Sequence, residues 1–193
     1  HATNNFPEFT GRICPAPCEP ACVLAINEDP VTIEYMEKAI VDRGFQEGWI
    51  KPEPPASRTG KRVAVIGSGP AGMAASQQLN RAGHLVTLFE RDEYIGGLLR
   101  LGIPDFKLEK HVVTRRNGQL EAAGVKFVLN CTVGKDRSFE EIRSAHDAVL
   151  IATGVYKSRD LGGPGAGLPG IKRALDYLTA SNRHGFGDNV PEY

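Results

Sequence analysis

Three glycines, Gly67, Gly69 and Gly72, follow the apolar run 63–66 and have the spacing needed to bind a diphosphate. The run is typical of a buried parallel strand. Gly67 permits a tight turn, Gly69 lets the backbone approach a phosphate, and Gly72 lets strand and helix pack closely. A helix that begins at such a turn presents unpaired N–H groups and a partial positive charge. The motif therefore predicts a diphosphate site that needs no basic side chain.

A carboxylate then closes the next predicted strand, residues 85–90. Glu90 follows the glycines at close to the distance of about 20 residues that is typical of dinucleotide-binding folds. We expect Glu90 to accept hydrogen bonds from adenosine ribose hydroxyls. A strand, glycine turn, helix, strand and terminal acid within about 30 residues are far more specific than a lone glycine motif. The alternative is a glycine-rich turn without a ligand.

Two later segments are also expected near this site. Gly96 and Gly97 allow a loop to lie against a flat, extended ligand, which suits a flavin better than a nicotinamide. A flexible loop without a ligand is the alternative. Residues 147–152 predict a strand that ends in Thr153 and Gly154. Small residues and a hydroxyl would then lie at the carboxyl edge of the sheet, where open α/β folds bind ligands.

The remaining pattern completes an α/β fold. A helix is predicted over 108–123, a strand over 126–130, a short helix after the capping box at Ser138, and a last helix over about 171–181. Alternating strands and helices favour a Rossmann-like domain with a parallel sheet.

The N-terminal region presents a different chemistry, because Cys14, Cys18 and Cys22 are spaced at C-x3-C-x3-C among three prolines. Such a stiff loop presents thiols without burying them, either as ligands or as disulfides. Three is an odd number for a disulfide framework, and a cytosolic chain keeps its thiols reduced, so metal or iron–sulfur ligation is preferred. Zinc is disfavoured, since it normally takes C-x2-C pairs or histidines. The lone Cys131 is expected to be structural.

A helix is predicted after this loop, with Asp29 as its N-cap and Pro30 in its first turn. Its apolar stripe consists of Ile33, Met36, Ile40 and Val41. Glu37 lies within that stripe, where an unpaired buried carboxylate would be costly. Either Glu37 reaches solvent or an arginine at the edge of the stripe, or it is a non-cysteine ligand to a cluster.

The composition excludes several classes of partner. The 193 residues contain 23 Lys and Arg and 23 Asp and Glu, so no basic field suggests nucleic acid or a membrane surface. No apolar stretch is long enough to span a bilayer, and no signal peptide is visible, so we expect a cytoplasmic protein. The chain begins without methionine, and we expect it to be a fragment of a longer protein.

Three parts are predicted along the chain. Residues 1–50 form a cysteine-rich helical segment, 51–62 a proline-rich linker, and 63–193 the nucleotide-binding domain.

The chain resembles the small-subunit family of bacterial NADPH-dependent glutamate synthases. More broadly, it resembles the flavoprotein group that includes the amino-terminal part of dihydropyrimidine dehydrogenase. The likeness covers the whole chain: the Cys-Pro loop, and residues 63–72, 90–110, 149–157 and 164–178. The motifs at 90–110 and 164–178 are specific to the group, whereas the first glycine motif is shared by very many flavoproteins.

The resemblance implies that FAD occupies the glycine motif, in a Rossmann-like FAD-binding domain preceded by a small helical iron–sulfur segment. Residues 67–72 would hold the diphosphate and Glu90 the ribose, with the backbone of Val133 on the adenine. The implied cofactor-binding residues are Gly67, Gly69, Pro70, Ala71, Gly72, Glu90, Arg91, Gly97, Leu98, Lys107, Val133, Thr153 and Gly154.

The resemblance also implies two [4Fe-4S] clusters. Cys14 and Cys18 would serve one cluster together with Glu37, and Cys22 would serve the other. The upstream cysteine motif of relatives and the second glycine-rich motif of the NADPH domain are absent from these residues, so NADPH is expected to bind a domain outside this chain.

The implied activity is electron transfer from NADPH through FAD and the clusters to a glutamate synthase large subunit, which forms glutamate from glutamine and 2-oxoglutarate. No acid–base catalytic set is visible or required, and the piece alone is expected to be inactive. The alternatives are an NAD(P)H-oxidising subunit of another flavin and iron–sulfur oxidoreductase, and a non-catalytic cluster-bearing docking module.

Overall fold

Four short strands form the sheet that positions the site. The computed structural model describes residues 3–159 and 162–190. Its helices and strands are, in chain order, α1 (Pro7–Ile13), a 3-10 turn (Val23–Ile26), α2 (Ile33–Gln46), β1 (Arg62–Ile66), α3 (Pro70–Arg81), β2 (Leu85–Phe89), α4 (Leu98–Leu101), α5 (Lys110–Ala122), β3 (Lys126–Val128), α6 (Phe139–Ala145), β4 (Ala148–Ile151) and α7 (Ala174–Gly185).

The strands are all parallel and lie in the order β3-β2-β1-β4. Val63 of β1 pairs with Val86 of β2 on one side and with Ala148 of β4 on the other. The predicted α/β fold with a parallel sheet is confirmed. Because the chain runs outward from β1 in both directions, the strand order reverses between β1 and β4, which is where such folds bind ligands.

Successive residues of β1 point to opposite faces of the sheet, and each face is covered by its own apolar cluster. Val65 belongs to the larger cluster, with Met73 of α3 and Val112 of α5. Ala64 belongs to the smaller one, with Phe89 and Ile142 of α6. Burial of one such large side chain contributes about 1.5–3 kcal/mol. The glycine turn thus follows a strand whose two faces are both packed against apolar side chains.

Helix α1 was not predicted, and it packs into the larger core. Phe6 and Phe9 are buried against that cluster. Glu8 is fully buried and forms a bidentate ion pair with Arg116 of α5, at 2.5 Å (Oε1 to Nε) and 3.0 Å (Oε2 to Nη2). A helix of seven residues with a single aromatic carries too little periodic signal to be predicted from its own sequence.

Helix α2 begins later than predicted, and the assignment of Asp29 as its N-cap is wrong. Thr32 occupies the N-cap position without a capping side-chain hydrogen bond. Instead, the N–H of Glu34 donates to Oε1 of Glu19 in the cysteine loop at 2.8 Å. A distant side chain therefore accepts one N–H of the first turn, and residues 29–32 lie outside the helix.

The apolar stripe of α2 is only partly buried. Val41 and Gly44 face the protein interior, whereas Ile33, Met36 and Ile40 are exposed. Glu37 is exposed too, as in the alternative in which it reaches solvent.

Other boundaries differ by a few residues. The capping box at Ser138 is confirmed, since its hydroxyl accepts the N–H of Glu141 at 3.1 Å and the Glu141 side chain returns to the Ser138 N–H. Helix α7 begins at Ala174, because a turn in which Ile171 N–H donates to Leu168 C=O precedes it. Within residues 3–159 and 162–190, no helix is long and apolar enough to cross a membrane.

Candidate cofactor site

A cleft of about 410 Å³ lies at the carboxyl edge of the sheet, between the loops that follow all four strands. Parallel strands bring these loops together because their carboxyl ends share one edge. The predicted residues that line the cleft are Gly67, Gly69, Pro70, Ala71, Glu90, Arg91, Gly97, Leu98, Val133, Thr153 and Gly154.

The glycine turn closes the cleft on the β1 side, and the backbone packing explains two of its glycines. Gly67 has φ of +105°, and a Cβ there would lie 2.4 Å from the carbonyl oxygen of Ala152. A Cβ on Gly72 would lie 1.9 Å from the carbonyl oxygen of Gly67. Gly72 thus lies behind the turn, where it lets α3 approach the strand, and it does not line the cleft.

Gly69 differs from these two. It is the N-cap of the 12-residue helix α3, and Pro70, which lacks an N–H, takes the first helical position. A Cβ on Gly69 would meet no protein atom within 4 Å, and the residue lines the cleft. The protein packing therefore does not require glycine here, whereas a diphosphate lying against the backbone would.

The Glu90 carboxylate is held in place by neighbouring donors. It is 6 % exposed. Oε2 accepts the N–H of Ser68 at 3.0 Å and the Ser68 hydroxyl, and Oε1 accepts the N–H of Asp92 at 3.0 Å. A carboxylate offers about four acceptor sites, so Glu90 retains capacity for ligand hydroxyls at the cleft wall.

The Gly96-Gly97 loop packs on the glycine turn from the opposite side. Gly97 has φ of +52°, and a Cβ there would lie 2.9 Å from the Cα of Gly69. Leu98, the first residue of α4, follows directly and is partly exposed in the cleft. The two glycine segments together form a surface without side chains beside Leu98, which fits an extended, flat ligand.

Lys110 is buried next to this loop and donates hydrogen bonds to the backbone that follows it. Nζ of Lys110 donates to the backbone carbonyls of Leu99 at 3.3 Å, Leu108 at 3.2 Å and Ile103. Burial lowers the pKa of Lys110 to about 8, an effect that the nearby Asp105 opposes. Sequence reasoning missed this residue, because nothing about a lysine at the start of a helix signals that it will be buried.

Arg91 lies at the outer wall of the cleft. Its guanidinium is 4.3 Å from the ring centroid of Tyr156, which also lines the cleft. The contact is a cation–π interaction, and Nε of Arg91 also lies 3.6 Å from Oδ2 of Asp92.

Lys107 is not brought together with the other predicted residues. It is exposed and lines a separate depression with Arg12, Tyr35 and Lys38. Its predicted contact with the flavin stays a prediction.

The cysteine loop presents free thiols. Cys14 and Cys18 are exposed, and Cys22 is half-buried. Backbone hydrogen bonds at Val31 and Leu24 lower the pKa of Cys22. Iron binds the thiolate, and hydrogen bonds to the sulfur are common in iron–sulfur sites, so the donor chemistry fits a cluster.

The geometry of the loop does not complete a metal site. Among residues 3–159 and 162–190, no three His, Cys, Asp or Glu side chains are close enough to bind a metal ion. The structure therefore does not bring Cys14, Cys18, Cys22 and Glu37 together, and their roles as ligands stay predictions.

Two family models match the chain, one at each end of it. Residues 61–187 match the family model described as pyridine nucleotide-disulphide oxidoreductase. The chain belongs to this family. Residues 1–49 match a second family model, described as dihydropyrimidine dehydrogenase domain II, 4Fe-4S cluster. The predicted cofactors, FAD in the nucleotide-binding domain and a [4Fe-4S] cluster in the N-terminal segment, agree with these two matches.

Among curated relatives, the chain is 56% identical over 190 residues to the glutamate synthase [NADPH] small chain of Mycobacterium tuberculosis. The match covers 98% of this chain and 39% of the relative. The small chain of Bacillus subtilis is 51% identical, with 98% and 38% covered. The resemblance to glutamate synthase small chains is confirmed, and the chain spans about two fifths of the length of these relatives.

Solved structures show the same fold. The oxidoreductase FprA of Mycobacterium tuberculosis, in complex with NADPH, is similar with a TM-score of 0.58 and 28% identity. The similarity covers 65% of this chain and 29% of FprA. The similarity agrees with the parallel-sheet α/β fold described above.

Proposed function

We propose that the protein is the electron-transfer subunit of a glutamate synthase. It would take electrons from NADPH and pass them through FAD and [4Fe-4S] clusters to a large subunit that forms glutamate from glutamine and 2-oxoglutarate. One observation carries this proposal: a cysteine loop and a dinucleotide cleft occur in one chain that matches a glutamate synthase small chain over 98% of its length. We also propose that the protein is located in the cytoplasm.

In this proposal the described residues bind and orient the cofactor. The backbone at Gly69 and the N-terminus of α3 hold the diphosphate, Glu90 holds the ribose, and Val133 contacts the adenine. Gly97 and Leu98 lie against the flavin. When bound, FAD supplies the hydride chemistry, so the protein contributes placement and electrostatics and needs no acid–base pair.

The proposed division of the chain is 1–50, 51–62 and 63–193. The first family match ends at residue 49 and the second begins at residue 61, so neither covers most of the proposed linker. Cys14 and Cys18 with Glu37 are proposed for one cluster and Cys22 for a second. NADPH is proposed to bind a domain outside these residues.

The full-length protein provides the test. Flavin absorption bands that bleach on addition of NADPH, and glutamate formation from glutamine and 2-oxoglutarate only after a large subunit is added, would support the proposal. An absence of flavin would contradict it. Bleaching without glutamate formation in the presence of the large subunit would instead favour a subunit of another flavin and iron–sulfur oxidoreductase.

A further inference from the structure

Ser68 lines the cleft between the three segments that form its walls. It sits between Gly67 and Gly69 in the glycine turn and is fully buried. Its hydroxyl donates to Oε2 of Glu90 and accepts the N–H of Gly96 at 3.0 Å. One side chain thus contacts the two other cleft segments.

These two contacts involve groups that need a partner. Gly96 is buried, and its φ of +130° leaves its N–H directed at Ser68 within a turn that only glycine adopts readily. A buried backbone N–H without a hydrogen bond is costly. Glu90 receives two of its three hydrogen bonds from Ser68, one from the hydroxyl and one from the N–H. Without the hydroxyl, both Gly96 and Glu90 lose a partner.

We propose that Ser68 is a positioning residue for FAD, which orients Glu90 toward the adenosine ribose and holds the Gly96-Gly97 turn at the flavin end. The hydroxyl links the two ends of the cofactor site because it is donor to one segment and acceptor from the other. This inference rests on the proposed function, since it takes FAD as the ligand of the cleft.

The test uses the full-length protein stripped of flavin and reconstituted with FAD. Ser68→Ala should raise the Kd for FAD about tenfold, as expected for loss of hydrogen bonds to a charged, buried acceptor. Ser76→Ala is the matched control. Ser76 lies in α3, is also fully buried, and its hydroxyl has no hydrogen-bond partner within the described part of the chain. Its removal should leave the Kd for FAD within twofold of wild type.

A second measurement separates positioning from general destabilisation. The ligand is the FAD analogue whose adenosine lacks the ribose 2′-hydroxyl, and the readout is the ratio of its Kd to that of FAD. Ser68→Ala should reduce this ratio by about threefold or more, because a misoriented Glu90 no longer distinguishes the hydroxyl. A loosened fold would weaken both ligands equally and leave the ratio unchanged. In a Glu90→Gln background, Ser68→Ala should cost less affinity than in wild type.

Two results would overturn the inference: a Kd for FAD within twofold of wild type in Ser68→Ala, or an unchanged ratio between the two ligands. If Ser68→Ala gives no soluble protein, the same measurements on Ser68→Cys, which preserves a side chain of similar shape with a much weaker hydrogen-bonding atom, decide the matter. Failure of the proposed function is distinguishable, because it would appear in wild type itself, as an absence of FAD or as bleaching by NADPH without glutamate formation.

Discussion

Glu8 and Arg116 are separated by 108 positions in the chain, yet they form a bidentate ion pair in the interior of the protein. The side chains are 0 % and 3 % exposed. Removal of one partner from a buried pair leaves the other charge uncompensated, which costs far more than the loss of an exposed pair.

Glu8→Ala should therefore lower the free energy of unfolding by about 3–5 kcal/mol. The control is Glu47→Ala, which breaks the exposed pair between Arg43 and Glu47 at the end of α2 and should cost no more than about 0.5 kcal/mol. Denaturant unfolding of the full-length protein measures both. Equal losses in the two variants would contradict a structural role for the buried pair.

Lys110 predicts a pH dependence. Its pKa is lowered to about 8 by burial, so between about pH 8 and 10.5 the folded state binds fewer protons than the unfolded state. Stability therefore rises with pH through that window. Relative to Lys110→Met, wild type should gain stability between pH 7 and pH 10, measured by unfolding at both values. Lys126→Met, at an exposed lysine, should show no such gain. If wild type gained the same stability relative to Lys126→Met as relative to Lys110→Met, burial of Lys110 would not be the cause.

Glu90→Gln should weaken FAD binding by about 1–2 kcal/mol, or roughly 5- to 30-fold. One of the two acceptor oxygens would be replaced by an NH2 group, which cannot accept from the backbone donors or from the ribose. Fluorescence titration of flavin-free full-length protein gives the Kd. Glu121→Gln, at an exposed position in α5, should leave it unchanged. Unaltered affinity in Glu90→Gln would show that Glu90 does not bind FAD.

Gly72→Ala and Gly118→Ala should have opposite effects on stability. A Cβ at Gly72 would overlap the backbone of the glycine turn, so this variant should lose stability and FAD binding together. Gly118 lies within α5 with open space around it, and alanine there should stabilise by up to about 1 kcal/mol. Thermal unfolding and flavin content report on both. A tolerated Gly72→Ala would show that close packing at the turn is not required.

Cys14→Ser in the full-length protein should lower iron content per chain, because a hydroxyl is a poor substitute for a thiolate on an iron–sulfur cluster. Cys131→Ser is the control, since Cys131 is buried beside the cleft and far along the chain from the cysteine loop. Iron analysis of purified protein measures both. Unchanged iron in Cys14→Ser would exclude it as a ligand.

The features that were predictable from sequence are those encoded within a short stretch. Gly67, Gly69, Gly72 and Glu90 all lie within one β-α-β unit, so their order in the chain determines where they lie at the edge of the sheet, and Ser138 caps its own helix.

The features that were missed depend on distant contacts. Glu19 takes the capping role expected of Asp29, Arg116 determines where Glu8 is buried, and Ser68 acquires its partners only once β1 and β2 are adjacent. Local patterns carry no information about such pairings, because the partner is chosen by the tertiary fold.

Cys14 follows α1 directly, and α1 is part of the core beneath the nucleotide cleft. The base of the cysteine loop is consequently attached to the same rigid body as the glycine turn, and the proline-rich stretch at 51–62 cannot act as a hinge between them. Movement of that base away from the cleft would require Phe6 and Phe9 to leave the interior. In the proposed function, the spacing between Cys14 and the flavin, which influences how fast an electron crosses between cluster and flavin, would then be constant.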